Sequence, residues 1–130
     1  MRMKYSIALP NGWKMSLVEI KDPVEAYETM TNVAFAVLKQ HCKSVGRNYE
    51  SIYRTSSSFC SIADSDEEAL ALVPDIFKPE LRETSLVGSP ATIRQRIAAL
   101  EALGIQEVIM DLPSATDLTV LHRFAQEFIA

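Results

Sequence analysis

The sequence predicts an α/β protein in which a small parallel sheet is flanked by helices. Segments that read as strands alternate with segments of helical periodicity, in the order β-α-β-α-α-β-α. This alternation is typical of parallel strands joined by right-handed crossovers. The chain has 130 residues, of which 48% are hydrophobic, so it is expected to form one domain with its own core.

The first strand is predicted over residues 3–10, where apolar residues share one face before a Pro-Asn-Gly turn. The first helix is predicted to begin at Pro23, because Asp22 precedes it as a cap and Glu25 completes a capping-box pattern. Gly46 is a typical residue just beyond a helix end. The sequence therefore predicts one long helix from Pro23 to Val45. Its predicted inward stripe is Val24, Tyr27, Met30, Val33, Ala34, Val37, Leu38, Cys42 and Val45.

The second strand is predicted over residues 52–63, which are rich in β-branched and aromatic residues but contain a run of three serines. Ser65 and Glu68 form a capping box for a helix over residues 67–77, which Pro74 is expected to kink or shorten. The acidic run that begins at Asp66 is interpreted as complementing the dipole of this helix. Residues 78–87 are expected to be irregular.

A third helix is predicted to start at Ser89-Pro90 and to end at Gly104. The third strand follows over residues 105–112, and its continuous apolar centre predicts a strand covered on both faces. The last helix is expected to be capped within residues 114–116. Its predicted inward residues are Leu118, Leu121, Phe124, Ala125 and Phe128.

Composition and charge disfavour several classes of protein. The net charge is −4 with acids and bases interspersed, so no nucleic-acid partner is expected. The apolar runs are too short for a membrane span or a signal peptide, so we expect neither membrane association nor a signal peptide. We therefore expect a cytoplasmic location. In that compartment Cys42 and Cys60 are expected to be reduced thiols, with a disulfide as the less favoured alternative. Their spacing fits no common metal-ligand pattern, so no metal site is predicted.

Three stretches carry a family resemblance. Residues 86–112, LVGSPATIRQRIAALEALGIQEVIMDL, are similar to the end of the luciferase-like monooxygenase family, whose members are flavin- and deazaflavin-dependent oxidoreductases on a TIM barrel. Residues 38–72 resemble the segment just upstream in the deazaflavin branch. Residues 1–34 resemble the opening strand and helix of the family, and residues 35–130 resemble its C-terminal part.

The resemblance implies an internally truncated barrel. A TIM barrel has eight strands and typically about 250 residues, so strands two to six of the family are expected to be missing here. The retained strands would be the first, seventh and eighth, which are neighbours in a closed barrel. This implies a three-stranded parallel sheet in the order 2-3-1, a partial TIM barrel with open edges. Open edges and an uncovered face predict completion by oligomerisation, as a homodimer or larger assembly.

The resemblance also implies FMN or a deazaflavin as cofactor at the carboxyl ends of the strands. The matched positions there are Asn11, Gly12 and Ser89. Together with their neighbours Trp13 and Gly88 they are the predicted cofactor contacts. Trp13 is suited to stacking on a planar ring, and Ser89 lies at a helix start that suits phosphate. The alternatives are purely structural roles, namely a tight turn at Trp13 and a helix cap at Ser89. No catalytic residue is assigned.

Three functions therefore stay open. The first is a truncated luciferase-like oxidoreductase or monooxygenase. The second is a non-catalytic oligomeric remnant that acts as an interaction protein or binds a small molecule between subunits. The third is a product of gene disruption with no selected role.

Overall fold

The structure is a computed structural model that describes residues 22–75, 85–114 and 116–129. The predicted first strand, over residues 3–10, lies outside this part of the chain. The helices and strands that the structure describes are α1 (Pro23–Ser44), a 3₁₀ turn (Tyr49–Ser51), β1 (Thr55–Ile62), α2 (Asp66–Ala71), β2 (Leu86–Gly88), α3 (Pro90–Ala102), β3 (Glu107–Asp111) and α4 (Thr119–Phe128). The predicted α/β class is confirmed.

The described strands form one parallel sheet in the order β2-β1-β3. The register places Ser61 beside Val87 of β2 and Ser57 beside Ile109 of β3. The predicted parallel pairing of the second and third strands is thereby confirmed. The predicted order 2-3-1 is wrong in placing the second strand at an edge, because β2 flanks it on the other side. The prediction that residues 78–87 are irregular is wrong at residues 86 and 87, which belong to β2, and its part over residues 78–84 lies outside the described residues. A strand of three residues is too short to produce a periodic pattern.

The main core lies between one face of the sheet and helices α3 and α4. It contains Cys60, Ile62, Leu86, Ile93, Leu100, Ile105, Val120 and Phe124. Phe35 of α1 packs against its margin. A second, smaller core lies on the opposite face, where Ala69 and Val73 contact Val87. The short helix α2 therefore covers the sheet near β2.

Strand β3 is covered on one face. Val108 and Met110 pack against the main core, whereas Ile109 between them is 47% exposed. The prediction that this strand is covered on both faces is therefore wrong for the part of the chain that the structure describes. The apolar run includes Ile109, whose side chain points away from the helices because side chains alternate along a strand.

Helix α1 is one continuous helix, as predicted. The Asp22 carboxylate accepts a hydrogen bond from the Glu25 N–H at 2.9 Å. At the other end Gly46 has a φ of 69°, and the Arg47 N–H donates to the carbonyl of Cys42 at 2.9 Å. This is the geometry of a glycine-terminated helix, in which a left-handed residue reverses the chain.

The predicted inward stripe of α1 is only partly correct. Cys42 is buried and Ala34 packs against the main core. Val33 and Val37, in contrast, are 51% and 53% exposed. The apolar residues of α1 occupy more than one side of the helix, so the pattern alone did not identify the side that packs.

Helices α2 and α4 differ from the predicted helices at one end. Helix α2 ends at Ala71, before Pro74, so the predicted shortening is confirmed. Helix α4 begins at Thr119, after the predicted cap at residues 114–116, and Leu118 is exposed rather than inward. The Asp117 carboxylate accepts the Thr119 N–H at 3.0 Å and so forms a local turn before the helix.

Candidate functional site at the carboxyl ends of the strands

The three parallel strands end at the same edge of the sheet. Strand β1 leads into Asp64 and Ser65, β2 leads into Ser89, and β3 leads into Leu112. In open parallel sheets this edge is the usual place for a ligand. Of the predicted cofactor contacts, Asn11, Gly12 and Trp13 lie outside the described residues. Gly88 and Ser89 lie at this edge.

A carboxylate of the chain itself occupies the start of α3. Asp66 Oδ1 accepts a hydrogen bond from the Ser89 N–H at 2.7 Å, and Asp66 Oδ2 accepts one from the Thr92 hydroxyl at 2.9 Å. The Ser89 hydroxyl in turn accepts the Thr92 N–H at 3.4 Å. The predicted alternative, in which Ser89 caps its helix, is confirmed.

The electrostatics of this contact favour an ionised Asp66. The hydrogen bond from the Ser89 N–H lowers the pKa of Asp66 below its usual 3.8, and the Thr92 hydroxyl acts in the same direction. The amino-terminal end of a helix also carries a partial positive charge that attracts anions. Asp66 therefore supplies the negative charge that a bound phosphate would supply at this position.

Gly88 makes this close approach sterically feasible. A Cβ at this position would lie 2.8 Å from Asp66 Oδ1 and 2.9 Å from Thr92 Cγ2. Both separations are shorter than ordinary van der Waals contact. The glycine that the family resemblance marked as a cofactor contact is thus the residue that lets Asp66 reach α3.

Sequence reasoning missed the link between Asp66 and Ser89. The capping box of Ser65 and Glu68 is present as predicted, with the Glu68 N–H donating to the Ser65 hydroxyl at 3.2 Å. Asp66 is interpreted from the sequence as part of the same local capping, and this interpretation does not predict its contact with Ser89, 23 residues away. The only sequence signal for it is the small residue Gly88 immediately before a helix start.

Two arginines form hydrogen bonds and ion pairs at the two ends of the sheet. At the carboxyl end Arg123 of α4 forms an ion pair with Asp64. At the opposite end Arg54 is 9% exposed and donates to the Gly104 carbonyl at 2.9 Å and to Glu50 at 3.2 Å. Both arginines join segments distant in sequence, which indicates a structural role.

The described residues offer little nucleophilic or metal-binding chemistry. Cys42 and Cys60 are both buried free thiols, and burial raises the pKa of Cys60 to about 12. A thiol with such a pKa is a poor nucleophile at neutral pH. Within the described ranges, no three side chains of His, Cys, Asp or Glu gather where they could hold a metal ion. The helices of the same ranges include none with the length and apolar character needed to cross a membrane.

A comparison of the sequence with protein-family models finds no matching family, and a search of curated proteins finds no significant match.

Proposed function

We propose that the chain is a homo-oligomeric binding module, built as part of a luciferase-like barrel and completed by a second copy of itself. The observation that carries this proposal is the apolar surface left exposed on two elements. Val33 and Val37 on α1 and Ile109 on β3 are each about half exposed. Neighbouring exposed apolar side chains on one element favour association with another surface.

The sheet supports the same proposal. Strand β3 pairs with β1 on one side, and on its outer face Glu107, Ile109 and Asp111 are all exposed. In a closed barrel further strands would continue the sheet past β3. The described strands number three, whereas a TIM barrel has eight. In this proposal a second copy covers exposed apolar residues such as Ile109 on β3.

The start of α3 favours binding over catalysis. A phosphate of FMN at this helix end would have to displace the Asp66 carboxylate from the Ser89 N–H and the Thr92 hydroxyl. Displacement would also place two anions side by side, which costs free energy unless a cation intervenes. In this proposal the module is therefore not an enzyme by itself, and it binds its own copy, with space for a small molecule between subunits.

Sedimentation velocity tests the proposal directly. Between about 1 and 100 μM, the range in which moderate protein affinities are visible, we expect a dimer or larger particle that dissociates on dilution. A monomer at every concentration would contradict the proposal.

The second candidate function is a truncated flavin- or deazaflavin-dependent oxidoreductase. The convergence of the three parallel strand ends at one edge favours it, since ligands of such sheets bind there. Titration with FMN and with a deazaflavin is the test. A saturable change in cofactor fluorescence that is lost in Ser89→Ala, where the hydroxyl is removed, supports this candidate. No change with either cofactor at micromolar concentrations rules it out.

A further inference from the structure

We propose that both outer edges of the described sheet are closed to pairing with a strand of another copy, so that association of this chain does not extend its sheet. Strand β2 is closed by an arginine side chain, and β3 is closed by its own charges. The inference goes beyond the proposed self-association and does not depend on it, because it concerns a pairing that the wild-type chain avoids.

The outer edge of β2 is occupied by Arg96 of α3. The Gly88 carbonyl accepts the Ala63 N–H and therefore faces β1. Backbone groups alternate in direction along a strand, so the carbonyls of Ser85 and Val87 point away from β1. Arg96 Nη1 donates to both of them, with a distance of 2.8 Å to the Val87 carbonyl. A further strand would have to displace a guanidinium group from these two carbonyls.

The outer edge of β3 is protected in a different way. Within the described ranges β3 pairs with β1 alone, so no strand lies on its other side there. Glu107, Ile109 and Asp111 are exposed on one face of this strand. The apolar residue at the centre favours contact with a copy of itself, and the two flanking carboxylates oppose it.

Like charges meet in the register that pairs the whole strand. Two antiparallel copies of β3 overlap over their full length only when the pair is centred on Ile109. In that register Glu107 of each copy lies directly opposite Asp111 of the other. Like charges directly opposite each other destabilise a strand pair, and charged edge residues are a common protection against such pairing.

A charge-reversal experiment tests the protection of β3. Asp111→Lys and Glu107→Lys each turn both opposing pairs of this register from repulsive to attractive. In sedimentation velocity, each variant is expected to associate at about tenfold lower concentration than the wild type. Glu101→Lys, on the exposed surface of α3, makes the same change in net charge and is expected to behave as the wild type. Circular dichroism verifies that each variant is folded.

Mixing the two β3 variants tests the register itself. When Asp111→Lys meets Glu107→Lys, one end of the strand pair has two carboxylates and the other end has two ammonium groups. The two variants carry the same net charge, so non-specific attraction would mix them freely. With one variant fluorescently labelled, we expect each to pair with itself and about tenfold more weakly with the other.

Arg96→Ala tests the protection of β2, and Arg94→Ala is its matched control. Arg94 lies on the same helix and forms an ion pair with Glu127, so its replacement removes an arginine without uncovering a strand. Arg96→Ala is expected to associate at about tenfold lower concentration than Arg94→Ala, since it releases two carbonyls for pairing.

Each result decides one part of the inference. Charge-reversal variants that associate no more strongly than the wild type, or that pair with each other as well as with themselves, overturn the protection of β3. Equal association of Arg96→Ala and Arg94→Ala overturns the protection of β2. A monomeric wild type contradicts the proposed self-association and leaves both of these comparisons decisive.

Discussion

Replacing Gly88 with alanine tests whether the absence of a side chain at this position allows the Asp66 carboxylate to reach the start of α3. The new Cβ would lie 2.8 Å from Asp66 Oδ1, about 0.6 Å inside the ordinary contact distance of 3.4 Å, and 2.9 Å from Thr92 Cγ2. Thr92 is fixed within α3, so the Asp66 carboxylate must retreat. A retreat of this size would lengthen its 2.7 Å hydrogen bond to the Ser89 N–H to about 3.3 Å, just outside the usual range of about 2.7–3.2 Å, and would therefore weaken it.

The expected cost of Gly88→Ala is about 2 kcal/mol in the free energy of unfolding. Loss of a hydrogen bond to a charged group costs about 1.5–3 kcal/mol, and we take the lower end because Asp66 is exposed to water. Forcing an extra methyl into a packed site adds about 1 kcal/mol or more. The smaller backbone entropy of alanine in the unfolded chain offsets no more than about 0.5 kcal/mol, because the Gly88 φ of 159° is a conformation that residues with a side chain rarely adopt.

Urea denaturation followed by circular dichroism measures this cost, and a double-mutant cycle assigns it. In an Asp66→Ala background neither the nearest clash nor the hydrogen bond of Asp66 contributes, so Gly88→Ala should cost about 1.5 kcal/mol less than in the wild type. Gly46→Ala is the control. Its Cβ would have nothing within 4 Å, so its cost should come from the left-handed φ of 69° and be equal in both backgrounds. Equal costs of Gly88→Ala in the two backgrounds would refute the steric explanation.

Three further predictions concern single groups. Thr31 is buried and its hydroxyl has no hydrogen-bond partner within the described part of the chain, so Thr31→Val should raise the free energy of unfolding by about 1 kcal/mol in a urea titration; a destabilised variant would contradict this. Because its pKa is lowered in the fold, ionised Asp66 stabilises the protein above pH 3.8 and this contribution disappears as the pH falls below that value. The stability difference between wild type and Asp66→Asn should therefore shrink in acid, and a difference that grows would be inconsistent with the contact to Ser89. Cys60, buried and with its pKa raised to about 12, should react with an aromatic disulfide reagent at pH 8 only after unfolding in urea; rapid labelling of the native protein would show that the thiol is accessible.

Local signals in the sequence predicted the ends of most helices correctly. Asp22 and Gly46 delimit α1, and Ser89 caps α3, because each signal acts within three or four residues. The exceptions are α2, which ends at Ala71 and not at residue 77, and α4, where the Asp117 turn delays the helix to Thr119. Several caps compete in that segment, and the choice among them depends on what the helix packs against.

Features that depend on distant residues were not predictable in the same way. Strand β2 has three residues, and its membership of the sheet follows from pairing with β1 and not from any periodic pattern. The contact of Asp66 with Ser89 joins the first residue of α2 to the cap of α3, and the two residues are 23 positions apart in the sequence. The packing side of α1 depends on which of its apolar sides meets the sheet, since Val33 and Cys42 are equally apolar in the sequence but differ in burial.

The central claim is that a second copy of this chain covers apolar residues that one copy leaves half exposed, among them Val33 and Val37 of α1. An isotope-filtered nuclear Overhauser experiment on a mixture of labelled and unlabelled chains tests it most directly, because it detects only contacts between copies. We predict intermolecular signals between the methyl groups of Val33 and those of Val37. A spectrum in which neither valine gives an intermolecular signal, at a concentration where the sedimenting mass exceeds that of one 14.5 kDa chain, would contradict the claim, and so would a particle with the mass of one chain at every concentration.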